Sequence, residues 1–217
     1  TYDYIVLAEL KIHNGGNNNL CVLDANIVAY RCEFYPGASS PTAMKLLTVG
    51  AQASIVQCYF HDQGTGASVG LYITSGLVMG CYFAPGSATG ASSYALQNSS
   101  SSGAVYVIGN VFVCSATTQV AIWTNYHTTI IGNTLYNSTA ATVNAMWGNV
   151  GYTESIIMNN VIQGWSGVGG KAITQVTLGM IGHNAFYNNT ANNNVTDAAF
   201  VNLTANDQVL GASPFTN

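Results

Sequence analysis

The chain has 217 residues, of which only 6% are charged, and its formal net charge is −4. Hydrophobic residues make up 48%, so the chain can bury a core and is unlike a disordered sequence. Its four basic residues cannot neutralise a nucleic-acid backbone, and small polar residues interrupt every apolar run before the roughly 18 residues of a membrane span. Composition thus predicts no nucleic-acid partner and no membrane insertion.

Two types of short segment alternate along the chain and repeat about every 26 residues. In the first type a small residue, a large apolar residue and an outward residue follow one another. Copies lie at 19–21, 43–45, 70–72, 95–97, 121–123, 145–147, 172–174 and 199–201. Copies of the second type lie at 7–12, 28–34, 55–60, 78–83, 107–112, 130–135, 157–162 and 180–186. In both types inward and outward positions alternate with period two, and Gly, Asn and Ser residues bound each segment. This pattern predicts β-strands.

This repeat predicts one all-β domain over residues 1–217, a solenoid of about seven or eight coils that stack at a strand spacing of roughly 4.8 Å. The motif apolar-apolar-x-Asn-x-Phe, at 107–112 and 181–186, resembles the right-handed parallel β-helix family, which includes pectate-lyase-like enzymes and phage tailspikes. The closing stretch 206–217 resembles the tail that follows the last coil in many such proteins. The chain starts within a strand-like segment and is expected to be cropped from a longer one. The resemblance implies the fold and says little about function.

In a parallel stack, equivalent positions of successive coils lie above one another, so columns can be predicted from the sequence. Two inward columns are predicted to form the core. One comprises Phe34, Phe60, Phe83, Phe112, Leu135, Ile162 and Phe186. The other comprises Leu20, Met44, Leu71, Leu96, Ile122, Met146, Ile173 and Phe200. Burying each side chain is worth roughly 1.5–3 kcal/mol, which offsets chain entropy without salt bridges.

A third column changes chemistry halfway, at a predicted bend between strands. It comprises Cys32, Cys58, Cys81, Asn110, Asn133, Asn160 and Asn184. Stacked Asn amides can donate to the carbonyl of a neighbouring coil, and Cys fills the same position as a small apolar residue. The column lacks His and the close spacing of metal ligands, so neither a metal nor a cofactor is expected. Five cysteines are an odd number, and free thiols favour assembly in a reducing cytoplasm, as for a virion component.

Enzymes on this fold use clustered acids, and only Glu33 and Asp62 are placed near each other here, with Arg31 and His61 close by. A hydrolase or lyase site at these four residues is therefore one hypothesis. The sequence favours the alternative of a solvated polar edge, because Glu33 and His61 are offset by two positions along the strand and Asp62 opens a Gly-rich loop. No catalytic residue is assigned.

Outward aromatic residues carry the stronger signal of an interaction surface. They are Tyr35, Tyr59, Tyr82, Tyr136 and Tyr187 beside the Phe column, and Tyr72, Trp123 and Trp147 on the first segment type. Flat rings on a neutral, Asn-rich face suit sugar rings, but cover by loops or by a neighbouring subunit also explains them, and burial against a subunit is slightly favoured over glycan contact.

The sequence favours a non-enzymatic structural or receptor-binding virion surface protein. The resemblance to tailspikes implies a homo-oligomer, a trimer, with neighbouring virion subunits and a polysaccharide as further partners. The alternatives are a secreted polysaccharide lyase or glycoside hydrolase, and a cell-surface adhesin or filament subunit. The expected location is the virion, the cell surface or the extracellular space.

Overall fold

The computed structural model describes residues 4–13, 18–36, 44–63, 66–86, 93–99, 103–148, 155–174, 179–194 and 201–215. Over these residues the chain forms a parallel β-solenoid of about 7 turns with three parallel sheets. Each coil visits the three sheets in the same order, so every strand pairs with the strand three places further along the chain. The predicted solenoid is confirmed, and each copy of the second segment type divides into two strands at the predicted bend.

The strand bounds define the three sheets. The first sheet contains β1 (Ile5–Ala8), β4 (Ile27–Tyr30), β7 (Ala53–Val56), β10 (Gly76–Met79), β13 (Val105–Ile108), β16 (Thr128–Ile131), β19 (Ser155–Met158), β22 (Met180–Gly182) and β25 (Val201–Leu203). The second contains β2 (Lys11–His13), β5 (Glu33–Tyr35), β8 (Tyr59–His61), β11 (Tyr82–Ala84), β14 (Val111–Cys114), β17 (Thr134–Asn137), β20 (Val161–Gln163), β23 (Ala185–Tyr187) and β26 (Gln208–Val209). The third contains β3 (Asn18–Leu23), β6 (Met44–Val49), β9 (Val69–Ile73), β12 (Ser93–Asn98), β15 (Gln119–Thr124), β18 (Met146–Gly148), β21 (Lys171–Thr174) and β24 (Ala191–Asn194). A single 3₁₀ turn, Thr204–Asn206, precedes β26 in the described part of the chain.

The predicted Phe column forms the inner face of the second sheet. Its members pair in register from β5 to β23, and all of them are buried. The first four rings stack face to face, with centroids 4.9, 4.8 and 4.7 Å apart. A parallel strand spacing of roughly 4.8 Å imposes this stacking distance on identical side chains.

The predicted core column of the third sheet is correct from Leu71 to Ile173 and wrong at both ends. Leu71 pairs with Leu47, and Leu47 with Cys21, so the predicted copies at 43–45 and 19–21 are displaced by three residues and by one. The reason is that β6 has two consecutive buried leucines, Leu46 and Leu47, where later coils have a small residue and one large residue.

The predicted last copy of the first segment type, 199–201, is also wrong. Val201 begins β25 of the first sheet and pairs with Met180, while Ala191–Asn194 takes the place in the third sheet. Residue Ile173 therefore pairs with Asn193, and the predicted column member Phe200 lies outside the described residues. The final coil carries polar residues at positions where earlier coils are apolar, so the period of the apolar pattern cannot be followed into it.

The Cys and Asn column lies at the bend between the first and second sheets, as predicted. In its upper half the four residues Asn110, Asn133, Asn160 and Asn184, here called the amide ladder, are buried and joined through their side chains. Each Oδ1 also accepts the backbone N–H of the residue one coil earlier, at 2.8–3.0 Å. Each Nδ2 donates to a first-sheet carbonyl in the preceding coil, at 2.9–3.1 Å.

The thiols in the lower half of the column make equivalent but longer hydrogen bonds. The Sγ of Cys81 accepts the backbone N–H of Cys58 and donates to the carbonyl of Ile55, both at 3.4 Å. The residue just before each column member has a left-handed backbone, as at Arg31 with φ 52° and Gly109 with φ 63°. This conformation turns the chain from one sheet to the next and explains why Gly so often precedes Asn in the motif.

Candidate functional site

The candidate site lies on the outer face of the second sheet, in the first four coils. Two outward columns run along it. One pairs Lys11, Glu33, Tyr59 and Tyr82 in successive coils; the other contains His13, Tyr35, His61 and Ala84. In each strand the residue between these two columns belongs to the inward Phe column. Because successive side chains of a strand point to opposite faces, both columns lie on the same outer surface.

Four polar side chains form a continuous chain of contacts, here called the ion-pair chain. Lys11, Glu33 and His61 belong to the two columns, and Asp62 directly follows β8. The Lys11 Nζ lies 2.7 Å from Glu33 Oε2, and Glu33 Oε1 lies 3.0 Å from His61 Nε2. The other ring nitrogen, His61 Nδ1, lies 2.7 Å from Asp62 Oδ2. A neutral imidazole donates one hydrogen bond and an imidazolium two, so both contacts are satisfied by donation only when the ring is protonated.

The ion-pair chain has a gradient of exposure. The His61 side chain is 14% exposed and that of Glu33 25%, whereas Lys11 and Asp62 stand in solvent at 72% and 74%. The Lys11 ammonium, through its hydrogen bond and charge, and the His61 ring hold the pKa of Glu33 below its ordinary value of 4.5 against a smaller effect of burial. The same hydrogen bond raises the pKa of Lys11. Glu33 is therefore an ionised carboxylate at neutral pH.

Aromatic rings continue this surface along the solenoid as a ring ladder of His13, Tyr35, His61, Tyr59 and Tyr82. The first three stack at centroid distances of 5.0 and 4.9 Å, and Tyr59 lies 4.2 Å from His61. Tyr82 meets Tyr59 edge to face, with ring centroids 5.3 Å apart and an interplanar angle of 65°. Tyr59 and Tyr82 are 38% and 40% exposed. The ladder thus ends in an open aromatic platform beside the ion-pair chain.

The sequence hypothesis placed Arg31 with Glu33, His61 and Asp62. Arg31 occupies the left-handed bend position just before β5, where its side chain contacts residues outside the ion-pair chain. There its Nε donates to Gln57 Oε1 at 3.1 Å, and one guanidinium nitrogen lies 3.7 Å from Glu9 Oε1. The two-position offset between Glu33 and His61 does not separate them either, because His61 reaches back across the strand.

The third sheet carries the other predicted aromatic residues on its outer face. Trp123 pairs in register with Trp147, and Gln97 separates Trp123 from Tyr72. The Lys45 ammonium lies 3.6 Å from the centroid of the Tyr72 ring, and so occupies a ring face. Tyr94 lies 5.8 Å from Trp123, tilted by 40°. These rings are half-buried among one another and among polar neighbours.

The C-terminal tail covers part of the second sheet. Phe215 meets Tyr136 edge to face at 5.6 Å, and Ser213 Oγ donates to Gln163 Oε1 at 3.0 Å. Tyr136 is therefore partly occupied by the chain itself, while Tyr187, two coils further on in the same column, is half-buried. The tail leaves the first four coils of this face to solvent.

Lys11 and His13 belong to the site but were missing from the sequence prediction. Both lie in the leading half-copy 7–12 or just after it, and the strand pairs Lys11↔Glu33 and His13↔Tyr35 bring them to the site. Extending the predicted outward columns back by one coil identifies both. Among the described residues, no three His, Cys, Asp or Glu side chains lie close enough together to hold a metal ion. Nor does any described helix have the length and apolar character to cross a membrane.

Comparisons of the chain with protein families, with curated proteins and with solved structures found no match.

Proposed function

We propose that the chain is a non-enzymatic, glycan-binding structural protein, a surface or receptor-binding component of a virion, built on a right-handed parallel β-helix. The observation that carries the glycan site is the open ring of Tyr82 next to Tyr59 and the ion-pair chain. Sugars offer apolar C–H faces to aromatic rings and hydroxyls to carboxylates and ammonium groups. The right hand follows the strong preference of parallel crossover connections for that hand.

The charge of the site favours a neutral glycan. Two carboxylates, Glu33 and Asp62, face one lysine and one histidine, and the whole chain carries a net charge of −4. A polyuronate would meet carboxylates of its own sign in the site and a negative protein around it. A neutral hexose polymer meets neither penalty.

Five free thiols support the virion assignment, since unpaired cysteines are rare in proteins that fold during secretion. The tailspike resemblance adds trimeric assembly with neighbouring subunits to this proposal. An adhesin or filament subunit shares the same scaffold and would differ in what flanks it.

A glycoside hydrolase is the second candidate, because His61 bridges two carboxylates. Such an enzyme needs one carboxyl group held protonated as the general acid, with a raised pKa. The pKa of Glu33 is instead lowered, and Asp62 stands in solvent. This electrostatic arrangement supports binding over hydrolysis. A lyase would in addition need an acidic sugar, which the charge disfavours.

Titration calorimetry against neutral polymers (dextran, mannan, laminarin) and against alginate and polygalacturonate tests the proposal. We expect binding to a neutral polymer that weakens about tenfold in Tyr82→Ala, equivalent to about 1.4 kcal/mol. Tyr136→Ala is the matched control, because Tyr136 lies on the same outer face but two coils beyond β11, away from the ion-pair chain, and it should bind as the wild type does.

Two outcomes would contradict the proposal. Loss of binding in Trp123→Ala but not in Tyr82→Ala would move the site to the third sheet. Release of reducing sugars or unsaturated products, abolished by Glu33→Gln or Asp62→Asn, would make the protein an enzyme.

A further inference from the structure

The outer face of the first sheet is apolar along its length, unlike the outer faces of the other two sheets. Strand alternation and register place sixteen described residues on it, two from each of eight strands. They are Val6, Ala8, Val28, Tyr30, Ser54, Val56, Leu77, Met79, Tyr106, Ile108, Thr129, Ile131, Ile156, Met158, Met180 and Gly182. No member of this set carries a charge. We call this set the first-sheet outer face.

The exposure of its members shows an open surface. Val6 is 63% exposed, Tyr106 47% and Met79 41%, although large apolar side chains are normally withdrawn from solvent. The strand sequences agree, since segments such as VYVI and IVAY are apolar at outward as well as inward positions. Near-continuous apolar runs are typical of parallel strands that are covered on both faces.

Polar residues border this face on both sides. At the bend into the second sheet lie Arg31, Gln57, Asn159 and His183, all with a left-handed backbone and all exposed. Polar groups also lie at the turns that enter the first sheet, for example at Gln52, whose N–H is bonded to Ser75 Oγ. An apolar centre inside a polar rim is the anatomy of a protein–protein interface.

We propose that the first-sheet outer face binds a second copy of this chain, sheet against sheet. The face is uncharged, so it has no electrostatic complement to offer an acidic or basic partner. Columns of side chains at a fixed coil spacing are complementary to the same columns on another copy, because ridges of one face fit grooves of equal spacing on the other. Packed β-sheets lie about 10 Å apart, with strands aligned to within about 30°.

The area of the face approaches what such a pair needs. Seven strand spacings of roughly 4.8 Å and four residues of roughly 3.3 Å give a face of about 34 by 13 Å. Two such faces cover about 900 Å² in projection. Accessible area exceeds projected area because side chains are rounded, so the accessible surface buried by the pair comes closer to the ~1,200 Å² of the smaller stable interfaces. This inference is independent of the proposed glycan site, which lies on a different sheet.

Sedimentation equilibrium of the chain over a range of about 1 to 100 µM tests it. We expect the average mass to rise from 22.7 kDa to at least twice that value, and to more where the proposed trimer also forms. Ile108→Glu places an unpaired charge in the centre of the face and should weaken self-association at least tenfold. Thr134→Glu, an outward substitution on the second sheet, is the matched control and should leave it unchanged. Unaltered circular dichroism would show that both variants fold.

A photo-crosslinking residue in place of Tyr106 gives a second measurement and should join two copies through first-sheet peptides. A monomer at every concentration would overturn the inference. So would an oligomer that Ile108→Glu leaves intact, or crosslinks to the second or third sheet. Pelleting of a monomer with phosphatidylcholine vesicles, lost in Ile108→Glu, would assign the face to a lipid surface instead.

Discussion

The amide ladder gives the sharpest test of what holds the coils in register. Asn133 is an inner member of the ladder and is 1% exposed. Its Oδ1 accepts two N–H groups of Asn110, from the backbone at 2.8 Å and from the side chain at 3.0 Å. Its Nδ2 donates to Val107 O at 2.9 Å, to Ile131 O at 3.2 Å and to Asn160 Oδ1 at 3.0 Å. The substitution Asn133→Ala removes all five bonds at a site without access to water.

The cost can be worked from these contacts. Both N–H groups of Asn110 lose their acceptor inside the core, and a buried unsatisfied group costs about 1–3 kcal/mol. The lost donation to Val107 adds about 1 kcal/mol. We therefore expect Asn133→Ala to lower the free energy of unfolding by about 3–7 kcal/mol, a large share of the roughly 5–15 kcal/mol of a typical domain.

Equilibrium unfolding in urea, followed by far-ultraviolet circular dichroism, measures this loss. The matched control is Cys81→Ala, at the same position in an earlier coil, where sulfur makes two longer contacts of 3.4 Å. It should cost only about 1–2 kcal/mol, because thiols are weak donors and acceptors. If Asn133→Ala cost no more than Cys81→Ala, the hydrogen bonds of the ladder would not be what stabilises the bend.

Two further predictions concern titratable groups. Because the folded protein lowers the pKa of Glu33 and raises that of Lys11, their pairing stabilises the fold above the ordinary Glu pKa of 4.5 and below the ordinary Lys pKa of 10.5. The melting-temperature difference between wild type and Glu33→Gln should be largest between these limits and shrink as the pH falls below the first or rises above the second; a difference that does not vary with pH would contradict the ion pair. The second prediction concerns the five cysteines, which are all free. Burial raises the pKa of Cys114 to about 12 and also raises that of Cys21, which is only half-buried. Ellman's reagent should therefore titrate at most one thiol, Cys21, in the native protein and five in denaturant. Rapid reaction of several native thiols would show that the core opens.

The sequence predicts the second sheet best because its columns are chemically distinctive. In each coil from Phe34 to Phe186 a large buried apolar side chain follows a bend Cys or Asn at a fixed distance of two residues, and no other register satisfies both. The third sheet is less well determined. In β6 the pair Leu46 and Leu47 leaves the apolar pattern consistent with more than one alignment, and only hydrogen bonding to β9 decides between them.

The candidate site was predictable in part. Glu33, His61 and Asp62 were grouped because they lie on or after equivalent strands, but the length of their side chains determines which of them touch. Glu33 and His61 are offset by two positions along the strand, and the imidazole of His61 is long enough to span that offset. Arg31 was grouped with them as a near neighbour in sequence, and its contacts to Gln57 and Glu9 lie at the left-handed bend before β5. The outer face of the first sheet was not predicted, because alternation assigns one apolar face to a strand and these strands have two.

The scarcity of charge in the sequence acquires a structural explanation. In stacked coils each outward residue lies beside its equivalents, so a repeated charge of one sign is destabilised along its column. The charged residues that do occur near one another obey this constraint: Lys11 lies directly beside Glu33 in register, and Glu9 lies next to Arg31 in the corner column. Opposite charges thus lie side by side in the first and second coils, at the end of the solenoid where the ring ladder begins. The first sheet, with no charged residue on its described outer face, is left with the surface best suited to a second copy.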